Sequence, residues 1–276
     1  MVRSITIAHS PDSDDAFMFY ALSQGKIRLE EFNFTNLLED IQSLNQRALR
    51  SEVEVTAISA HVYPYIANHY WIMRTGASMG SGYGPIVIGR KKMEISELKG
   101  KRIAHPGEFT TATLLLRLYV QEAELVSLPF DKIAEAVRYG DVDAGVLIHE
   151  GQITFEKEGL FKIADFGELW EEEVHLPLPL GLDVVRKDLG WELARKISEK
   201  LRESIEYGYE HFEEAAAYAL QFGRGINKEL GEKFIRMYVN ELTIDMGERG
   251  RQALEILYRR GFEKMLLPDI PPIELV

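Results

Sequence analysis

ISELKGKRIAHPGEFTTATLLLRLYV, Ile95 to Val120, and its continuation ELVSLPFDKIAEAVRYGDVDAGVLIHEGQ, Glu124 to Gln152, decide the fold of this chain. The first stretch reads as a strand, a turn and a helix. The second repeats the cycle, with ELVSLP as strand, DKIAEAVRYG as a short helix capped by Asp131 and closed by Gly140, and AGVLIH as the next strand. Repeated β-loop-α units imply an α/β protein with a mainly parallel sheet and helices on its faces.

The same alternation extends outward in both directions. Ser4 to Ala8 alternates as a strand does, and Asp14 or Asp15 is placed to cap a helix that ends near Gly25. Glu39 or Asp40 opens a helix with Ile41, Leu44, Ala48 and Leu49 on one face, VEVTAIS follows as a buried strand, and PIVIGR is a further strand. From Trp191 the pattern becomes helical, with Leu193, Ile197, Leu201 and Ile205 recurring every four residues and three more amphipathic segments reaching Leu266. Such stripes need a partner, so these helices are expected to return to the first lobe, leaving PPI near the end as an extended tail.

Composition narrows the function. Of 276 residues 46% are hydrophobic, enough for a packed core, and 44 acidic against 32 basic side chains give a net charge of −12. That field repels a phosphate backbone, so no nucleic-acid partner is expected, and RKK at Arg90 to Lys92 and KGKR at Lys99 to Arg102 read as solvated turns. Cysteine is absent, which removes disulfides, thiolate chemistry and cysteine-based zinc sites. MVRSITIAHS lacks a signal-peptide pattern, and no segment supplies the about 20 apolar residues of a membrane span. The expectation is a cytoplasmic protein without a membrane partner.

Four motifs are candidates for chemistry. DSDDAF, Asp12 to Phe17, fails as a calcium loop, because the required glycine falls on Phe17 and the third ligand on Ala16; helix capping by Asp14 or Asp15 is the simpler reading. GSGYG, Gly80 to Gly84, precedes a strand instead of joining strand to helix, so it reads as a turn or hinge and not as a phosphate cradle. PGEFTTATLLL sets Thr110 and Thr111 at a helix start, where unpaired N–H groups and two hydroxyls suit a carboxylate or phosphate; ordinary threonine capping is an equal alternative. In DVDAGVLIHEGQ an apolar strand ends at His149, where an imidazole serves as a general base or as a half-buried structural residue. HEGQI lacks the second histidine of a zinc motif.

Together HSPDSDDAFMFYAL, LLEDIQSLNQRAL, GSGYGPIVI, PGEFTTATLLL, AGVLIHEGQITF and HLPLPLG follow the order and spacing of the menaquinone-biosynthesis family, and over nearly its whole length the chain resembles that family, most closely its naphthoate-forming members. The resemblance implies a two-lobed type II periplasmic-binding-protein-like fold, each lobe a mainly parallel sheet flanked by helices, with a helical C-terminal segment. Lobe 1 comprises residues 1–86 and 183–276, and lobe 2 residues 87–182, with crossings near Pro85 to Arg90 and Leu176 to Asp183 and an anionic small-molecule substrate between them. It also implies a lyase step in which cyclic dehypoxanthine futalosine gives 1,4-dihydroxy-6-naphthoate with loss of the sugar-derived fragment, without metal or organic cofactor.

Residue by residue, the family's catalytic histidine falls on His149, its substrate-contacting threonines on Thr110 and Thr111, and a substrate-contacting tripeptide on Ala57, Ile58 and Ser59, while the opening motif puts Asp14 and Asp15 at the cleft edge. His149 is then the base that removes a substrate proton, and the threonine pair holds the carboxylate. Two departures alter the charge there: Ala57 stands where the family often has Lys, and Asp14 and Ala16 replace an Asn and a Thr. The alternatives are a chorismate dehydratase of the same pathway and a non-catalytic small-anion-binding protein.

Overall fold

The structure, a computed structural model, describes residues 3–28, 32–223 and 227–276. Strand β1 (Arg3–His9) buries Ile5 and Ile7 and turns into two short helices, α1 (Ser13–Met18) and α2 (Tyr20–Ser23). The cap of α1 is Asp12, whose side chain accepts from the Asp15 amide; Asp14 and Asp15, expected as caps, lie inside the first turn. Then come β2 (Phe32–Leu38), α3 (Ile41–Leu49) capped by Asp40, β3 (Val55–Ser59), α4 (Tyr63–Ile66), β4 (Tyr70–Ile72) and β5 (Ser78–Gly80).

From there the chain enters a second sheet. Its elements are β6 (Ile86–Gly89), β7 (Arg102–His105), α5 (Thr111–Tyr119), β8 (Glu124–Ser127), α6 (Ile133–Tyr139), β9 (Ala144–Leu147), α7 (Gly151–Thr154), β10 (Phe161–Asp165) and α8 (Phe166–Val174). Asp131 does not cap α6. It lies in a 3-10 turn, Phe130–Lys132, ahead of the helix, and Gly140 ends the helix with a left-handed φ of 87°. The chain returns through β11 (Leu178–Arg186) to the first sheet and finishes in α9 (Trp191–Glu210), α10 (Phe212–Ala219), α11 (Lys228–Tyr238), α12 (Glu241–Ile244) and α13 (Gly247–Glu263).

The first sheet runs β2-β1-β3-β11-β4, with β5 also paired to β11, and the second runs β10-β6-β9-β7-β8. Both are mixed, where repeated β-loop-α units led to an expectation of mainly parallel sheets. The local cycles do give parallel pairs, β1 with β2 and β3, and β7 with β8 and β9. The antiparallel pairs come from strands that enter from the other unit or turn back, namely β11 in the first sheet and β6 and β10 in the second.

Ile197, Leu201 and Ile205 of α9 pack with Phe17, Phe19 and Leu22 and with Ile5 and Ile7 of β1, so the C-terminal helices do cover the first sheet. Each such fully buried side chain contributes about 1.5–3 kcal/mol. Val276 adds to this cluster, and its amide donates to the Ile72 carbonyl, which fastens the tail. The glycine-rich crossing has a steric role as well. A Cβ on Gly167, in the first turn of α8, would lie 2.0 Å from the Tyr83 carbonyl carbon, so backbone meets backbone there.

Candidate active site

A cleft of about 100 Å³ opens where four segments meet, each at the carboxyl end of a strand: Ser10 to Asp15 after β1, Ala57 to Ser59 at the end of β3, Thr110 and Thr111 after β7, and His149 to Gln152 after β9. This is where open α/β sheets place their ligands. Asp14, Asp15, Ala57, Ile58, Ser59, Thr110, Thr111 and His149, all expected from sequence, line this one space.

His149 has φ 54°, a left-handed conformation that costs a non-glycine residue about 1–2 kcal/mol. The conformation turns the residue out of the strand direction. Its Nδ1 lies 2.9 Å from Oδ2 of Asp12, and its ring meets the edge of Phe130 at 5.1 Å between centroids. Asp12 is 5% exposed and also accepts the Ser10 hydroxyl at 2.6 Å. Burial opposes its charge, but the His149 ring beside it, by charge and hydrogen bond, with further hydrogen bonds from Ser10 and Asp14, holds the carboxyl well below the usual carboxylate range. Asp12 is therefore the anion of the site.

Its neighbours behave oppositely. Burial first, then the charges of Asp12 and Asp15, push Asp14 well above the usual range, and burial with the charges of Asp12 and Asp183 does the same to Asp15. Asp15 accepts the Ser10 amide at 2.8 Å. One oxygen from each of Asp12, Asp14 and Asp15 falls within 4.8 Å of the others. As a cation cage the set is incomplete, since Asp12 and Asp15 already accept hydrogen bonds and hard cations take six or more oxygens.

On the opposite wall the threonine hydroxyls are engaged internally. Thr110 donates to the Gly107 carbonyl at 2.8 Å and caps α5 by accepting the Thr113 amide; Thr111 donates to the Leu180 carbonyl at 2.7 Å and accepts the His61 amide. What this wall retains for an anion is the start of α5, whose first N–H groups have no acceptor within the helix. Ser59 is fixed by Asn45, which receives its amide at 2.8 Å and donates to its hydroxyl at 3.1 Å.

Sequence reading missed Asp12 as the partner of His149, and also the fastening of the loop that carries the imidazole. Ser13 donates to Glu150 at 3.2 Å and the Tyr238 hydroxyl to Gln152 at 2.7 Å. With Asp12 to His149, three contacts join the His149–Gln152 loop of the second sheet to elements packed on the first. Asp12 stands in the acidic motif, but only the fold pairs it with a histidine in the turn after a distant strand.

The family model described as Menaquinone biosynthesis matches residues 5–263. A 1,4-dihydroxy-6-naphtoate synthase of Thermus thermophilus is 36% identical over 270 residues, covering 98% of each chain. Protein AF1704 of Archaeoglobus fulgidus, known from its crystal structure, superposes with a TM-score of 0.92 at 46% identity, over 96% of this chain and 98% of its own. The alkanesulfonate-binding protein SsuA of Xanthomonas axonopodis superposes with a TM-score of 0.72 at 12% identity, over 98% of this chain and 96% of that one, which shows a periplasmic-binding-protein fold and nothing more.

Proposed function

The chain belongs to the menaquinone-biosynthesis family, and from that premise we propose that it is a carbon–carbon lyase converting cyclic dehypoxanthine futalosine to 1,4-dihydroxy-6-naphthoate, with His149 as general base. The observation that carries the role of His149 is its Nδ1 held 2.9 Å from a buried, ionised Asp12 on the cleft wall. An Nδ1–H donated to Asp12 puts the ring's lone pair on Nε2, and the carboxylate stabilises the positive charge the ring acquires. Nε2 takes a proton from the bound substrate, the released electron pair forms a π bond of the ring that becomes aromatic, and the adjacent carbon–carbon bond breaks with its electrons going to the departing sugar-derived fragment, which takes the proton back from the imidazolium. The substrate carboxylate lies against the start of α5 beside Thr110 and Thr111, with Ser59, Ile58 and Ala57 along the adjoining wall. Asp14 and Asp15 bound the other side.

The two lobes, residues 1–86 with 183–276 and residues 87–182, close around the substrate, the second break falling within β11. Closure excludes water and fixes geometry. No helix among the described residues is long and apolar enough to cross a membrane, and we place the reaction in the cytoplasm. The test is incubation of the purified protein with cyclic dehypoxanthine futalosine, and separately with chorismate, followed by chromatography. Naphthoate is expected from the first alone, and dehydration of chorismate instead reassigns the substrate. His149→Asn is expected to lower turnover by about 10² to 10⁴-fold with binding retained. Near wild-type turnover in that variant removes the proposed role.

A further inference from the structure

Asp14 is a polar residue of the cleft to which this mechanism gives no step. It is 7% exposed, lines the cleft, and has an Oδ1 that meets no hydrogen-bond partner. Its surroundings are acidic: Asp12 and Asp15 with oxygens within 4.8 Å, and Glu150 across from α1. Tyr83 and Tyr238 flank it from the crossing segment and the end of α11. A buried carboxyl group beside the ionised Asp12 is the arrangement in which one of two acids keeps its proton. That proton has an acceptor at hand, since Asp14 hydrogen-bonds Asp12 and thereby helps hold Asp12 ionised.

We propose that Asp14 is a specificity-determining residue that meets the substrate as a neutral carboxylic acid, its O–H donated to Asp12 and its Oδ1 accepting a hydrogen bond from a hydroxyl on the sugar-derived part of the substrate. The proposal rests on the cleft being the substrate site and adds an orientation to it. An anionic group is repelled by the wall that holds Asp12 and is received by the N–H groups opening α5, so the carboxylate end faces α5. The hydroxylated end, which supplies donors, faces the Asp14 oxygen. No proton leaves Asp14 in this role.

The groups that set its titration are Asp12 and Asp15 on its own segment, Glu150 from the β9–α7 turn, Tyr83, Tyr238, and His149 acting through Asp12. The tyrosines stay protonated over the working range, Tyr83 being pushed up to about 12 and Tyr238 also raised, both by burial first. Loss of the Asp14 proton adds a second charge beside Asp12 and weakens the substrate complex, so the Michaelis constant of the wild type rises on the alkaline side.

The experiment compares the full-length wild type with Asp14→Asn and Asp14→Leu, measuring KM for cyclic dehypoxanthine futalosine from about pH 6 to 9.5 and, by calorimetry, the dissociation constant of 1,4-dihydroxy-6-naphthoate, which lacks the sugar-derived part. Asp14→Leu, which removes the acceptor, is expected to raise KM about tenfold while naphthoate binding changes less than about twofold. Asp14→Asn presents a carbonyl oxygen to the cleft and an N–H to Asp12, so it recovers most of that loss and abolishes the alkaline rise. An Asn variant as impaired as the Leu variant, an alkaline rise that persists in the Asn variant, or naphthoate binding weakened as much as KM would each overturn the proposal while turnover by the wild type stands. A wild type that neither binds nor converts these compounds would overturn the reading of the cleft and this proposal with it.

Discussion

Asp12→Asn removes one charge from the site and almost nothing else. Asn caps a helix as well as Asp does, so the contacts to the Asp15 amide and the Ser10 hydroxyl have a substitute and the fold is expected to survive. What changes is the bond to His149. A hydrogen bond to a charged group is worth about 1.5–3 kcal/mol, which is about 10- to 150-fold in rate if the bond matters only once the ring is protonated. The loss grows if the new amide N–H₂ turns toward Nδ1, because the ring proton then sits on Nε2 and no lone pair faces the substrate; an Asp-to-Asn change of this kind in a serine protease lowers kcat by about 10⁴. The expected outcome is kcat reduced by about 10²- to 10⁴-fold with KM little changed, measured by chromatographic detection of naphthoate, and a thermal midpoint close to that of the wild type. A correctly folded Asn variant with kcat within about threefold of wild type would show that the imidazole works without its carboxylate.

Stability should depend on pH with a definite sign. Asp14, Asp15 and Asp183 have folded-state pKa values well above the usual range, Asp183 because it is buried. Their contribution is fully present below about pH 4, the unfolded value, and is lost as pH rises through the folded values, whereas the contribution of Asp12 is lost only on acidification. The thermal midpoint is therefore expected to fall as pH rises above the unfolded value of about 4, and Asp183→Asn to flatten the slope; a midpoint that climbs from there toward neutral pH contradicts the assignment. Gly167→Ala sets a methyl group against the Tyr83 backbone, which cannot move aside as a side chain would, and is expected to cost about 3 kcal/mol, the upper end for overpacking. An unchanged urea midpoint with an unchanged slope would refute that steric account.

The central β-loop-α cycles were legible because their apolar runs, glycines and caps agree with one another, and α9 because its stripe recurs every four residues. Strand β2 was not. It is an edge strand with only partly buried or exposed residues, so it shows no apolar run to read. Capping was misassigned in DSDDAF because three acids compete in four positions and the choice depends on where β1 stops. The walls at Thr110–Thr111 and His149 could be read from strand ends, yet the state of each group could not: the threonine hydroxyls are engaged by carbonyls of Gly107 and Leu180, and burial raises the pKa of Asp14 and Asp15 while at Asp12 it is outweighed by His149 and Ser10.

The loop from His149 to Gln152 is stitched to Asp12, Ser13 and Tyr238, all carried by elements of the opposite half of the molecule. A swing that parted the halves at this seam would break the contact of the imidazole with its carboxylate. On the proposed lobe closure, entry of a guest molecule and readiness of the ring would then fall at different moments of one cycle, ordered by where the chain crosses.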